Sequence, residues 1–253
     1  MKKTILVLGI ASAFLLSGCH SESAKPEHAA SHHEAHGHHW NYAENGPTHW
    51  EEFSETCGVG LHQSPINVES DKTVAMNRQY ELTMHENINS MAKIIDNGHS
   101  IKVTPSQGGT INLNGETFEL LQFHFHGKSE HTVNGKRYDL VAHLVHQNPI
   151  TKQLAVVAVF FEEGDASPIL TTILDNVGKS VEINAQDLLP TNETSYYHYV
   201  GSLTTPPCSE NVQWYLLKNP MTASKAQIEQ FRKFYVDNQR PVQKLHDRVV
   251  ESN

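Results

Sequence analysis

Gln122–Phe–His–Phe–His126 and Val141–Ala–His–Leu–Val–His146 hold the residue types best suited to chemistry. Side chains alternate along a strand, so His124 and His126 share a face with Gln122, while Leu121, Phe123 and Phe125 take the other. Residues i and i+2 stand ~6.5–7 Å apart on that face, and two imidazoles there can converge on one ion at ~2.0–2.1 Å per Zn–N bond. His143 shares a face with Val141 and Val145 on the following strand. The Asn134–Gly135 turn joins the two strands, so antiparallel pairing can set His143 beside the other two. Three neutral imidazoles with an open fourth position form a catalytic zinc pattern, since structural zinc sites are closed by a fourth protein ligand.

A lone histidine here would read as an ordinary half-buried side chain, but a His-x-His pair with a third on the neighbouring strand does not. A cupin barrel is the stronger competitor, because it also places a Glu after His-x-His, and Glu130 follows His126. The cupin pattern wants glycines where this chain has Phe118 and Arg137, so it fails at both.

The surrounding chain reads as strands and turns. Short strands are expected near 101–104, 110–113, 118–126, 138–146, 154–161, 195–200 and 212–217. Asn97–Gly98, Asn114–Gly115 and Asn134–Gly135 are hairpin-type turn pairs. Leu154–Phe161 is apolar throughout, as a strand buried on both faces would be. Helices are few. Ser167–Pro168 opens one that stops at Gly178, and Ser224 with Gln227 reads as a capping box ahead of Ile228, Phe231, Phe234 and Tyr235. One mostly-β domain over about 40–250 follows, with peripheral helices and no repeat.

Composition narrows the function. The 253 residues carry a net charge of −9, which argues against a nucleic-acid partner. No apolar run reaches the ~18–20 residues needed to span a bilayer. The 18 histidines nearly match the 19 lysines and arginines together. Residues 1–18 read as a signal peptide: a Lys2–Lys3 head, then the apolar stretch Ile5–Leu16. Leu16–Ser17–Gly18–Cys19 resembles the bacterial lipoprotein cleavage box, which would put a lipid on Cys19. That lipid would be the chain's membrane contact, on the periplasmic or cell-envelope side. Cys57 and Cys208 then remain in an oxidising compartment, which favours one disulfide over two unrelated thiols. Residues 19–39 form a His-rich tether holding seven histidines, His20, His28, His32, His33, His36, His38 and His39. It reads equally as a loose extra Zn²⁺ site or as a solvated linker.

The chain resembles the alpha-class carbonic anhydrases of the exported bacterial branch. The likeness runs over nearly all of 40–250. It is carried by Trp40–Asn–Tyr42, Gly46–Pro–x–His–Trp50, Gln63–Ser–Pro–Ile66, Asn97–Gly–His99, Gln122–Phe–His–Phe–His126, Ser129–Glu–His131, His143–Leu–Val–His146, Gly201–Ser–Leu–Thr–Thr–Pro–Pro207 and Asn238–x–Arg–Pro241. The resemblance implies a large, mainly antiparallel, twisted central sheet. It implies reversible hydration of carbon dioxide to bicarbonate and a proton by a zinc-bound hydroxide. His124, His126 and His143 would hold one Zn²⁺. Thr204 would orient the attacking hydroxide and give its own proton to Glu130, and Gln122 would hold the free ring nitrogen of His124. Val145, Val156, Leu203, Val212 and Trp214 would wall the CO₂ pocket. His99 would be the proton shuttle, with Tyr42, Asn97 and Thr205 ordering the waters between, and Cys57 and Cys208 match the disulfide of exported members. Oligomeric state is not readable, and a dimer stays open.

Two positions depart from the family pattern. An acid usually sits two residues before the third ligand and accepts its ring N–H, but this chain has Val141. Lys102 stands where relatives carry an uncharged polar or small side chain, and its cation could disturb the waters or depress the shuttle's pKa. The competing function is a non-catalytic zinc-storage lipoprotein, which would have no use for Thr204, Glu130 and His99 in these positions.

Overall fold

Apolar runs bounded by turn residues fold as strands in the computed structural model, which describes residues 39–253. The signal peptide, Cys19 and the tether up to His38 lie outside the described residues. The strands that position the site are β1 (Asn89–Asp96), β2 (Ile101–Pro105), β3 (Glu116–Gly127), β4 (Leu140–Gln147), β5 (Leu154–Glu163), β6 (Tyr196–Ser202) and β7 (Glu210–Leu217). They belong to one 13-stranded sheet. Its path runs from the edge strand Ser180–Asn184 through β1, β2, β3, β4, β5, β7 and β6 to Glu251–Ser252 and Val74–Ala75. Pairing along β1–β5 is antiparallel, as is β6 with β7. It turns parallel where β5 meets β7 and Met221–Ala223, and where Glu251–Ser252 meets Val74–Ala75.

The sheet is buried on both sides at its centre. Phe123, Phe125, Leu144, Val157 and Phe161 belong to the larger core, with Ile169 and Ile173 of α1 (Pro168–Leu174) and Ile228 and Phe231 of α2 (Lys225–Arg232). Val141, Val145, Val156, Ala158, Phe160, Val212 and Trp214 form the second core on the opposite face. This explains why β5 is apolar at every position from Ala155 to Phe161.

Ser167 caps α1 with Pro168 in its first turn, and the Ser224–Gln227 capping box opens α2. The Gln227 amide then ties the helices together, accepting from Ser167 N and donating to Ser167 O and the Thr171 hydroxyl. Phe234 falls beyond the end of α2 and is 38% exposed, so it does not continue the buried face.

One detail of the site strand differs from simple alternation. The β3–β4 register shifts between Leu120 and Gln122, which marks a bulge at Leu121. Leu121 is 42% exposed and does not join Phe123 and Phe125 in the core. The extra residue flips the faces of the strand. Phe118 and Leu120 before it, and Phe123 and Phe125 after it, therefore all reach the larger core. Without the bulge Phe118 and Leu120 would share a face with the histidines.

Candidate metal centre

The second half of β3 and the middle of β4 lie side by side with His124 directly opposite His143. His126 pairs with Val141 on the same ladder. One nitrogen from each of His124, His126 and His143 lies within 4.8 Å of the others. The ring centroids are 5.2 Å (His124–His126), 5.4 Å (His124–His143) and 4.8 Å (His126–His143) apart. The strand spacing and the shared face therefore bring the three expected ligands together.

Each ring is aimed by a different partner. Gln122 Oε1 lies 3.0 Å from His124 Nδ1, as expected, which leaves Nε2 for a ligand. His126 Nδ1 donates to the carbonyl of Asn238 at 2.5 Å, and its Nε2 is buried without a hydrogen-bond partner. His143 turns Nδ1 toward Glu130 Oε2, 3.8 Å away, while its buried Nε2 has no partner. Burial lowers the pKa of His124 and His143 well below the usual histidine value, and the neighbouring histidines push the same way. Neutral rings with free lone pairs are what a metal needs. An orphaned buried nitrogen such as His126 Nε2 costs ~1–3 kcal/mol unless something binds it. The donor set and the orphaned His126 Nε2 fit Zn²⁺, with His143 presenting the Nδ1 that shares Glu130 Oε2 with His126, so that its unpartnered Nε2 would carry the ring proton.

Glu130 is fully buried behind the histidines. Its Oε1 accepts from the backbone N–H of Arg240 at 2.8 Å, and its Oε2 has no hydrogen-bond partner and lies 3.5 Å from His126 Nε2. Thr204 is also buried, in the loop after β6. Val141 lies in the second core, so nothing two residues before His143 accepts its ring N–H.

The expected CO₂ wall is one packed cluster. Val145 pairs with Val156, Val156 pairs with Trp214, and all three share the second core with Val212, with Leu203 packed against it. Trp214 lies edge-on to His143 at 4.9 Å between ring centroids. On the other side, Trp40, Tyr42, Asn97, His99, Ser100, Lys102, Gln122, His124, His126 and Thr205 line a cleft of about 160 Å³. Tyr42, Asn97, His99 and Thr205 are therefore gathered above two of the ligands. The Asn97 amide oxygen is occupied by its own turn, accepting from His99 N and Ser100 N. Burial, followed by the Glu130 carboxylate, raises the Tyr42 pKa well above the usual tyrosine value. A larger cavity of about 530 Å³ touches this region only through Leu203 and Val212 and contains no histidine.

Cys57 and Cys208 form a disulfide with Cα atoms 5.1 Å apart. The bridge packs with Trp50, and Trp40 and Tyr42 lie against it.

Sequence reasoning passed over the clamp behind the ligands. The Asn238 side chain donates to Phe125 O and His99 O and accepts from Gly127 N. The buried Arg240 guanidinium donates to Gln63 Oε1, Ser64 O and Cys57 O. Their spacing in Asn238–x–Arg–Pro241 was visible, but only the folded contacts assign them work. A second buried chain runs from Ser64 Oγ to Tyr199 Oη to His131 Nε2, at 2.7 and 2.6 Å.

A mostly-β sheet with three converging histidines on adjacent strands, an apolar wall and a narrow polar cleft defines a mononuclear metal-enzyme architecture. The family model for eukaryotic-type carbonic anhydrase matches residues 45–253. A carbonic anhydrase from Pectobacterium atrosepticum is 38% identical over 94% of this chain and 96% of its own length. One from Nostoc is also 38% identical, over 83% of this chain and 84% of its own. Among solved structures, the alpha-carbonic anhydrase of Thermovibrio ammonificans in complex with the inhibitor sulfanilamide superposes with a TM-score of 0.78 at 39% identity, covering 84% of this chain and 98% of that one. The chain belongs to the alpha-class carbonic anhydrases, zinc lyases whose reaction is the reversible hydration of CO₂.

Proposed function

We propose that this chain hydrates CO₂ at one Zn²⁺ held by His124, His126 and His143, and exports the proton through His99. The observation that carries the reading is the convergence of three ring nitrogens beside an apolar wall. When bound, Zn²⁺ lowers the pKa of a bound water to ~7 and supplies hydroxide at neutral pH, a value established for carbonic anhydrase itself.

The residues do the rest. Val145, Val156, Val212, Trp214 and Leu203 offer CO₂, which is apolar, a dry surface and keep water from competing for it. Glu130, pinned at Oε1 by Arg240 N–H, leaves Oε2 as an acceptor for the Thr204 hydroxyl. Thr204 then has its lone pairs free to accept from the nucleophile and fix its direction. Gln122 and Asn238 hold the rings of His124 and His126 in the tautomers that ligate. His99 lines the same cleft as His124 and His126, which supports its taking the proton through waters that Tyr42 and Thr205 would hold. The Cys57–Cys208 bridge supports an exported, oxidising setting, and a lipid on Cys19 would hold the enzyme at the envelope face. A weak second Zn²⁺ on the His-rich tether belongs to the same proposal.

Stopped-flow CO₂ hydration by the zinc-loaded protein tests the reading. It expects turnover that vanishes with zinc removal and in His126→Ala. Tight zinc without hydration would favour a storage role instead.

A further inference from the structure

Lys102 lies on β2, directly opposite His124 on β3, and it lines the same cleft as His99, His124 and His126. Among the described residues its ammonium forms no ion pair and no hydrogen bond. Its charge is felt at the site, where it lowers the pKa of His124 after burial and His126 have done so. The nearby acids are committed elsewhere. Asp96 accepts from Gly98 N and the Tyr235 hydroxyl, and Glu130 is sealed below the ligands against Arg240 N. The remaining polar lining is uncharged: Tyr42, Asn97, Ser100, Gln122 and Thr205.

An unpaired cation in a narrow cleft is poorly placed for structure. Lys102 is partly exposed at the cleft, pairs with none of the described residues there, and adds positive charge to a cleft whose floor would carry a divalent cation. Low-dielectric walls focus such a field on the cleft and raise the local concentration of anions.

We propose that Lys102 tightens the hold of this cleft on small monovalent oxyanions, bicarbonate being the one the reaction itself supplies. CO₂ is neutral and feels little of this charge, whereas bicarbonate carries a full negative charge. Lys102 therefore separates the two ends of the reaction, holding the anion without helping the gas. It also makes the enzyme more sensitive to unreactive oxyanions than an uncharged side chain would. The inference rests on the metal reading, because the cation at the histidines is the anion's other partner.

The test is calorimetric titration of nitrate, an unreactive oxyanion, into zinc-loaded wild type, Lys102→Gln and Lys102→Arg, with zinc content measured on each. The nitrate dissociation constant should rise roughly three- to fivefold in Lys102→Gln, the upper range expected for a partly exposed charge pair, and return to within about twofold of wild type in Lys102→Arg. The KM for bicarbonate in the dehydration direction should move the same way. Equal nitrate affinity in Lys102→Gln and wild type, at equal zinc, would overturn this inference and leave the metal reading standing. Failure of the wild type to take up zinc would overturn both.

Discussion

Trp40 lies flat on His99, with ring centroids 3.7 Å apart and an interplanar angle of 14°. His39 meets the same imidazole edge-on at 5.2 Å. The stack shields one face of the ring, and burial is the first cause lowering the His99 pKa below the ordinary histidine value. A lowered pKa keeps the ring neutral and ready to accept a proton at pH 7. His99→Ala should therefore lower kcat, which includes proton release, and spare kcat/KM, which reports the CO₂ step. Imidazole buffer should restore kcat by diffusing in as a substitute relay. An equal fall in both constants without rescue would mean that His99 supports the shape of the cleft and carries no protons.

The metal prediction is read by elemental analysis. A variant lacking residues 20–39 should retain one tight Zn²⁺, and adding His126→Ala to it should remove both the zinc and the hydration activity. Tight zinc at one equivalent in that combined variant would place the ion away from the three histidines.

The orphaned His143 Nε2 gives a prediction with the opposite sign. Its proton has no acceptor because Val141 occupies the position from which a carboxylate could reach it. Loss of such support typically costs ~10–100-fold in metal affinity or activity. Val141→Glu should accordingly slow zinc release to a chelator. Unchanged or faster release would show that the position is no deficit in this chain.

Acid should destabilise the protein through His131. Burial, then the charges of His126, Arg248 and Arg137, lowers its pKa to about 3. The unfolded ring titrates near ~6.5, so between those values the unfolded chain binds a proton that the folded chain does not. Stability is then complete above pH ~6.5 and falls as pH drops toward 3, by about 1.4 kcal/mol per pH unit for this one proton. His124 and His143 act in the same direction when no metal holds them. Urea unfolding of metal-free wild type and His131→Gln between pH 7 and 5 measures it. The variant should lose less stability on acidification, by about one proton's slope, and parallel curves would refute the assignment.

The disulfide closes a loop whose ends are 151 positions apart. The entropic model allows up to ~4–5 kcal/mol for a loop of that length. A Cys57→Ser and Cys208→Ser double variant should lose a large part of that in urea unfolding at pH 7. A loss below ~1 kcal/mol would mean that the hydrogen bonds from Gln63 to Cys208 O and from Ser54 to Pro207 O already fix the two segments.

The ligand strands were legible because two independent periodicities agreed. In β5 the apolar run from Ala155 to Phe161 is unbroken, in β4 apolar residues surround His143 and His146, and after the bulge in β3 Gln122, His124 and His126 alternate with Phe123 and Phe125. The bulge itself was hidden, since Leu121 looks apolar enough for the core and only the β3–β4 register shows that it is not there. β1 was missed because its buried face begins with Ser90 and Ala92, small side chains that give little hydrophobic signal before Ile94. The edge strand Ser180–Asn184 is mostly open to solvent and has still less. At the site, type and spacing singled out the ligands. The groups that aim His126 and Glu130 are a backbone carbonyl at Asn238 and a backbone N–H at Arg240, which have no signature in side-chain type.

That dependence on the C-terminal segment sets an order in time. His124, His126 and His143 leave the ribosome well before Asn238 and Arg240, roughly 5–20 s earlier at a synthesis rate of ~5–20 residues/s. Until the last part of the chain arrives, the His126 ring has no carbonyl to hold it, Glu130 has no donor on Oε1, and Cys57 O and Ser64 O lack their guanidinium. The three imidazoles can lie on neighbouring strands during that interval, yet nothing fixes which way they point. Firm capture of the ion is thus a property of the finished chain, and a nascent or C-terminally trimmed copy would hold zinc only loosely.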